Sequence, residues 1–184
     1  FANLVRAGNK VTMSTRSGEF ITLRELMDEV TTEAARFFYI NRKADQHLEF
    51  DLDLAKDQSK DNPLYYIQYA HARICSVMKK ADIKETDLRK SKLELLDSDR
   101  EIEIQKMLKQ YPSLIERAAD SSEPHLLCYY LKDLASIFHS YYNSEKFLVK
   151  EKDLMSSRLF LLSGIRQVIH NGLGVLGITA PNKM

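Results

Sequence analysis

Tryptophan is absent from this 184-residue sequence, and glycine (6), proline (4) and cysteine (2) are scarce. So few turn formers exclude collagen-like, linker-like and turn-rich all-β classes. The two cysteines, Cys75 and Cys128, cannot build a disulfide scaffold or a four-cysteine zinc site, and a reducing compartment is the simplest setting. No apolar run approaches the length of a bilayer span, so neither a transmembrane helix nor a membrane partner is expected. Charge of one sign is not in excess either: 27 Lys and Arg against 26 Asp and Glu leave +1. Any nucleic-acid role must therefore come from a local patch rather than a global field. There is no G-x-S-x-G elbow, Walker loop or G-x-G-x-x-G. His47, His71, His125, His139 and His170 have no mutual ligand spacing, so no metal site is expected.

What is present is the composition of a soluble globular protein, 44% hydrophobic and 29% charged. The length suits one domain, or one domain plus part of a second. The chain opens Phe-Ala-Asn-Leu-Val-Arg-Ala-Gly-Asn-Lys, without Met and without the layout of a signal peptide. This stretch reads as a short strand, a turn at Gly8-Asn9 and a second extended piece. Two such pieces are not stable alone. They imply a partner sheet lying upstream, the other reading being a stray hairpin packed on helices.

After Gly18 the pattern turns helical. Thr22 caps a helix over residues 23–30, with Glu25 at the capping-box position. Thr31 or Thr32 starts a second, running to about Lys43. From His47 to Asp57 acids alternate with Leu48, Phe50, Leu52 and Leu54, which fits a strand, yet residues 52–56 also suit a helix start. Asn62-Pro63 opens a helix to about Lys80, Ser98 one to Gln110, and Pro124 one to about Asn143. Tyr111-Pro112 is expected to break the second of these, with a short helix over 113–119 beyond it. The last helix begins near Asp153, and Gly172, Gly174 and Gly177 are expected to loosen its end. Residues 79–97, rich in Lys and Glu, read as a solvated loop. The sum is five or six antiparallel helices packed as a bundle.

Tyrosines are the informative residues. Tyr65 and Tyr69 lie four apart on one helix and share a face; Tyr129, Tyr130, Tyr141 and Tyr142 lie on another. Such rings pack in a core with the hydroxyl wet, or stack on unpaired bases for about 1–3 kcal/mol each. With Arg73 and Arg166 on neighbouring helices, one or two of them suit a base-stacking surface. Asp51 and Asp53 form either a carboxylate pair or a solvated acidic turn.

Three blocks carry a resemblance. Residues 45–56, DQHLEFDLDLAK, followed by residues 62–74, NPLYYIQYAHARI, resemble the C-terminal part of bacterial arginyl-tRNA synthetase. Residues 13–23, MSTRSGEFITL, resemble that family's version of the class I K-M-S-K-S loop. The ending LGITAPNKM, residues 176–184, resembles its usual C-terminus. The resemblance spans residues 1 to 184, and three blocks in the right order make it specific.

The resemblance implies an all-α fold: a helical bundle of the DALR anticodon-binding type, preceded by a short extended segment left from a Rossmann-type catalytic core. Residues 1–60 would be the end of that core and residues 61–184 the anticodon-binding domain. The family forms arginyl-adenylate from ATP, with Mg2+, and arginine, then passes the arginyl group to its tRNA, in the cytoplasm. Met13 and Ser14 match the signature loop. Thr12 and Thr15 stand where the general pattern has lysines, and Arg16 replaces its last serine. Lys10 and Arg16 are the local cations, either for the triphosphate or for holding the loop. Tyr69 and Tyr142 match aromatic positions used around anticodon bases and Met184 a third position, with Arg73 and Arg166 as phosphate or base contacts. The H-I-G-H-like motif and the amino-acid pocket would lie upstream and do not occur here, so the longer parent, not this piece, is expected to be the ligase. The present chain alone is expected to be inactive, with no catalytic residue assigned and no ATP or other cofactor bound by itself. The alternative is a free-standing helical module that binds protein or RNA.

Overall fold

The computed structural model describes residues 2–11, 21–83 and 85–184. Strand β1 (Ala2–Arg6) turns back into β2 (Asn9–Lys10). The register pairs Arg6 with Asn9, so the turn is Ala7-Gly8, one residue earlier than the sequence reading. Both turn residues have positive φ, 50° and 74°, the geometry whose twist matches a tight hairpin. The expected partner strand comes from within the chain. Strand β3 (Leu48–Asp51) runs parallel to β1, giving a sheet of order β2-β1-β3.

The undecided stretch after His47 is both things in turn. Phe50 is buried in β3, then Asp51 caps α3 (Leu52–Lys56) by accepting from the amides of Asp53 and Leu54, each at 3.0 Å. The Asp53 carboxylate accepts from the Ala7 amide at 2.7 Å. These two acids therefore organise backbone, and neither a catalytic pair nor a merely solvated turn describes them. Helices α1 (Leu23–Val30) and α2 (Thr32–Ile40) meet at Thr31, whose φ of 78° lets it end one helix while its hydroxyl caps the next. The Thr22–Glu25 capping box is present in both directions. Glu29 on α1 then binds Arg6 at 2.7 Å and Lys56 at 2.8 Å, tying helix to sheet.

The bundle consists of α4 (Pro63–Ala81), α6 (Asp99–Asp120), α7 (His125–Ser144) and α8 (Lys152–Val175). Helix α4 packs on α7 and α8, and α6 packs on the same two. Ile67, Ile74, Leu131, Leu134, Phe138, Leu162, Ile165 and Ile169 are fully buried between them.

Two expectations about breakers fail here. Helix α6 runs through Pro112 without interruption. An interior proline costs about 3 kcal/mol, but α6 seats Ile104, Leu114 and Ala118 in the core on both sides of it. Nor does Gly172 loosen α8: a Cβ there would lie 2.8 Å from Leu131 Cδ2, so its hydrogen is what lets α7 approach. The segment before α6 is also more than a solvated loop. It contains the short α5 (Glu85–Leu88) and a 3-10 turn (Leu93–Leu95), and Leu88 and Leu96 are buried.

The start of α6, the end of α7 and α8 share one polar cluster. Glu101, 1% exposed, completes the Ser98 capping box and accepts from the Tyr141 hydroxyl at 2.7 Å. Arg158 reaches Glu101 with Nε at 2.9 Å, Glu145 with Nη2 at 2.8 Å, and the Lys146 carbonyl with Nη1 at 2.8 Å. Burial works to raise the Glu101 carboxyl. The hydrogen bonds from Tyr141 and Ser98 and the charge of Arg158 outweigh it and hold the group below the ordinary value.

Candidate nucleic-acid interface

Helix α4 presents Tyr65, Tyr69 and Arg73 at successive four-residue steps, on the side that meets α7. The Tyr65 and Tyr69 rings stack with centroids 6.0 Å apart and planes 17° apart. Helix α7 brings His139 and Tyr142, three residues apart, to the same place. The Arg73 guanidinium lies 4.3 Å from the Tyr142 ring centroid and 4.8 Å from that of Tyr69, bracketed by two π faces. Tyr142 is braced from behind by Phe138 and Phe147, at 5.8 and 5.7 Å. Tyr65, Tyr69, Arg73 and Tyr142 are each half-buried, so their neighbours hold them while part of each side chain stays accessible. Tyr130 and Tyr141, by contrast, are core residues.

His139 completes the cluster. Its Nδ1 lies 3.2 Å from Arg73 Nη1, and its Nε2 lies 3.2 Å from the Tyr66 carbonyl. Burial pushes its imidazole below the usual range; the bond to Tyr66 opposes this and the charge of Arg73 adds to it. Among the described residues no carboxylate forms an ion pair with Arg73, so its charge is available to an incoming anion or base edge.

The adjacent face of α4 carries the chain end. After α8, Gly177 turns the backbone at φ 69° beneath Arg36, which donates to the Leu176 carbonyl. The tail then follows α4. Gln68 donates to the Thr179 carbonyl at 3.0 Å, and His71 Nδ1 lies 2.9 Å from the Pro181 carbonyl. Cys75 donates to the Asn182 side chain at 3.5 Å. Glu33 accepts from the Thr179 amide at 2.9 Å. His71 is 2% exposed, and its burial lowers its pKa; the Pro181 bond opposes this, while His170 and Arg166 add to the lowering.

The sequence-derived candidates thus separate. Tyr69, Arg73 and Tyr142 come together. Arg166 stands on α8 within electrostatic reach of His71, and Met184 ends the tail 46% exposed. Lys10 lies apart, at the sheet edge, in a depression shared with Asn3, Arg42, His47 and Glu49. Met13, Ser14 and Arg16 lie outside the described residues. Sequence reasoning missed His139 as part of the aromatic cluster, having weighed it only as a metal ligand. Its three-residue spacing from Tyr142 was the available signal. Among the described residues no group of three or more His, Cys, Asp or Glu is placed to hold a metal ion, and no helix is long and apolar enough to cross a membrane.

Comparison with known proteins supplies a family. Residues 67–184 match the DALR anticodon binding domain. The whole chain is 53% identical to the arginine–tRNA ligase of Nitrosomonas eutropha, covering 31% of that protein. It is 54% identical to that of Nitrosospira multiformis, covering 32%. The chain therefore spans about a third of the length of these curated relatives. A Campylobacter jejuni structure described as an arginyl-tRNA synthetase superposes with a TM-score of 0.91 at 32% identity, over 100% of this chain and 40% of that one. The Thermus thermophilus arginyl-tRNA synthetase shares the fold, with a TM-score of 0.75 at 23% identity, over 98% of this chain and 34% of that one. A free-standing module of another kind is not favoured by these matches. The bundle that holds Tyr69, Arg73 and Tyr142 together belongs, with the chain that forms it, to the DALR anticodon-binding domain family.

Proposed function

We propose that this chain is the anticodon-binding portion of an arginine–tRNA ligase, joined in the whole protein to a core that arginylates tRNA in the cytoplasm. The observation that carries this reading is the Tyr69–Arg73–Tyr142 cluster: two half-buried rings around a guanidinium that forms no ion pair with a carboxylate among the described residues. An anticodon loop offers unstacked bases and phosphates. The rings supply stacking faces, worth about 1–3 kcal/mol per base. Arg73 supplies a planar fork of donors for a base edge or phosphate. Met184 adds a flexible apolar contact, and Arg166 a further cation. Residues 61–184 form the anticodon-binding unit on this reading, and residues 1–60 the end of the catalytic core.

In the whole protein ATP supplies the phosphoanhydride that activates arginine. Lys10 and Arg42, with His47 and against the single carboxylate Glu49 in the same depression, fit the negative charge of a phosphate tail. Met13, Ser14 and Arg16 would complete that loop. No described residue is assigned to Mg2+. The 184-residue chain by itself is expected to give no arginylation, and measurable arginine-dependent turnover would overturn that.

The test is a titration with a labelled anticodon hairpin of arginine type and one with a scrambled loop. Binding should weaken steeply with salt, because phosphate contacts release counterions. Tyr142→Ala should weaken the arginine-type hairpin more than the scrambled one. Equal losses would show that Tyr142 does not read bases.

A further inference from the structure

We propose that His139 is a positioning residue, which holds the Arg73 guanidinium between Tyr69 and Tyr142 in the orientation that meets RNA. The inference rests on the anticodon-binding reading. Arg73 can only donate, so the 3.2 Å contact to His139 Nδ1 requires that nitrogen to accept. The Tyr66 carbonyl can only accept, so the 3.2 Å contact to Nε2 requires the proton there. Two partners of opposite demand thereby select one neutral tautomer. The ring cannot swing away: it is 6% exposed, 4.4 Å from the Tyr66 ring and 5.7 Å from that of Tyr69. A long arginine otherwise loses much rotamer freedom when it engages a ligand. Here that freedom is already spent in the folded chain, and the guanidinium edge turned from His139 is left for the RNA.

A histidine that merely filled space would be replaced well by phenylalanine. The experiment measures binding of a fluorescein-labelled RNA hairpin with an arginine-type anticodon loop to the full chain. It compares His139→Phe, His139→Asn, Arg73→Ala and the double variant of His139→Phe with Arg73→Ala. His139→Phe keeps the ring but removes the acceptor, and should weaken binding about tenfold or more, equivalent to about 1.4 kcal/mol. His139→Asn, whose amide oxygen reaches the Nδ1 position, should restore most of the affinity. In the Arg73→Ala background the Phe change should cost less than about twofold, because a residue acting through Arg73 has nothing left to hold.

Equal losses in both backgrounds, or an Asn variant no better than Phe, would overturn the role. A long-range 15N–1H spectrum of the unaltered chain tests the same claim without any variant. It should show His139 protonated at Nε2 and bare at Nδ1, and the opposite tautomer would overturn the proposal. Unchanged hairpin binding by Arg73→Ala would overturn the anticodon reading of this cluster and this role with it. A loss at Arg73 without coupling to His139 would overturn this role alone.

Discussion

Replacing Arg158 by methionine isolates the cluster that fixes α6, α7 and α8 to one another. Methionine keeps most of the stem, so the packing loss is small. What remains is the Glu101 carboxylate, 1% exposed, with the Tyr141 hydroxyl and Ser98 as its neutral hydrogen-bond partners. Removing one partner of a buried pair costs about 3–5 kcal/mol, chiefly because the other charge stays buried and unpaired. Against a total stability of about 5–15 kcal/mol, that is a large share. Urea unfolding followed by far-ultraviolet circular dichroism, at pH 7 and at successively lower pH, measures it. The slope should stay constant while the midpoint falls.

The pH dependence carries the stronger test. In the native chain Glu101 is held below its ordinary value. Its stabilising contribution is therefore complete above the unfolded carboxyl pKa and is lost as pH falls through the depressed folded one. In Arg158→Met the burial that works to raise this carboxyl is opposed only by the Tyr141 and Ser98 hydrogen bonds, without the charge of Arg158. The variant's penalty is then present at neutral pH and relieved on acidification, so the two stability curves converge as pH falls. Glu101→Gln in the Arg158→Met background should recover stability at pH 7, because a neutral amide still accepts from Tyr141. A cost below about 1 kcal/mol, or one that neither acid nor Glu101→Gln relieves, would refute the account of a compensated buried charge.

Gly177→Ala should destabilise by about 1–2 kcal/mol in the same unfolding assay, from the left-handed backbone alone. The structure adds a Cβ only 2.9 Å from Arg36 Nε, so Arg36→Ala should lessen the penalty. Asn62→Ala should cost about 2 kcal/mol, since Asn62 is 4% exposed. It caps α4 through the Leu64 and Tyr65 amides while donating to the Ala55 and Asp57 carbonyls. His71 and His139 both have depressed folded pKa values, so the unfolded chain binds more protons below the ordinary imidazole range. Stability should fall as pH drops from about 7 toward the lower folded values, and His71→Asn with His139→Asn should flatten that slope.

Legibility followed the range of the interaction that decides each feature. The Thr22–Glu25 box, the Ser98 cap and the Asn62-Pro63 start are built from residues within three positions of one another, and the sequence reading places all of them, though not the reciprocal part that Glu101 plays at Ser98. Pro112 was misread because the opposing force is distant: Tyr130 on α7 donates to the Met107 carbonyl at 2.9 Å, just before the proline, and the core holds Leu114 just after it. Gly172 was misread because Leu131, the residue it admits, lies 41 positions earlier. Leu88 and Leu96 were hidden among lysines and glutamates, where no periodicity marks an isolated anchor. The site shows the same division. Tyr69 and Arg73 are one helical turn apart, so their pairing is local. That Tyr142 lies on the other side of Arg73 depends on how α7 docks against α4. Only the resemblance to known sequences singled out Tyr142, and the three-residue spacing that puts His139 on the same face of α7 gains meaning only once Tyr142 is placed.

Tyr141 and Tyr142 show how the bundle can bind selectively on a net charge of only +1. Adjacent helix residues point about 100° apart, and these two divide the work. Tyr141 is fully buried, gives its hydroxyl to Glu101 and packs edge-on against Phe147 at 5.0 Å. Tyr142 also packs against Phe147, at 5.7 Å, and keeps one face toward Arg73. The buried cluster therefore sets the height and rotation of α7 next to the ring proposed to meet RNA. A near-neutral protein has little long-range pull on a polyanion, so on this reading affinity must come from groups held in place before contact. Side chains already ordered by packing lose less freedom on binding than mobile surface ones do. That links the ion cluster at one edge of α7 to the half-buried rings at the other: on the proposed reading, the rigidity of the first would let the second act as a reading surface rather than a general cationic one.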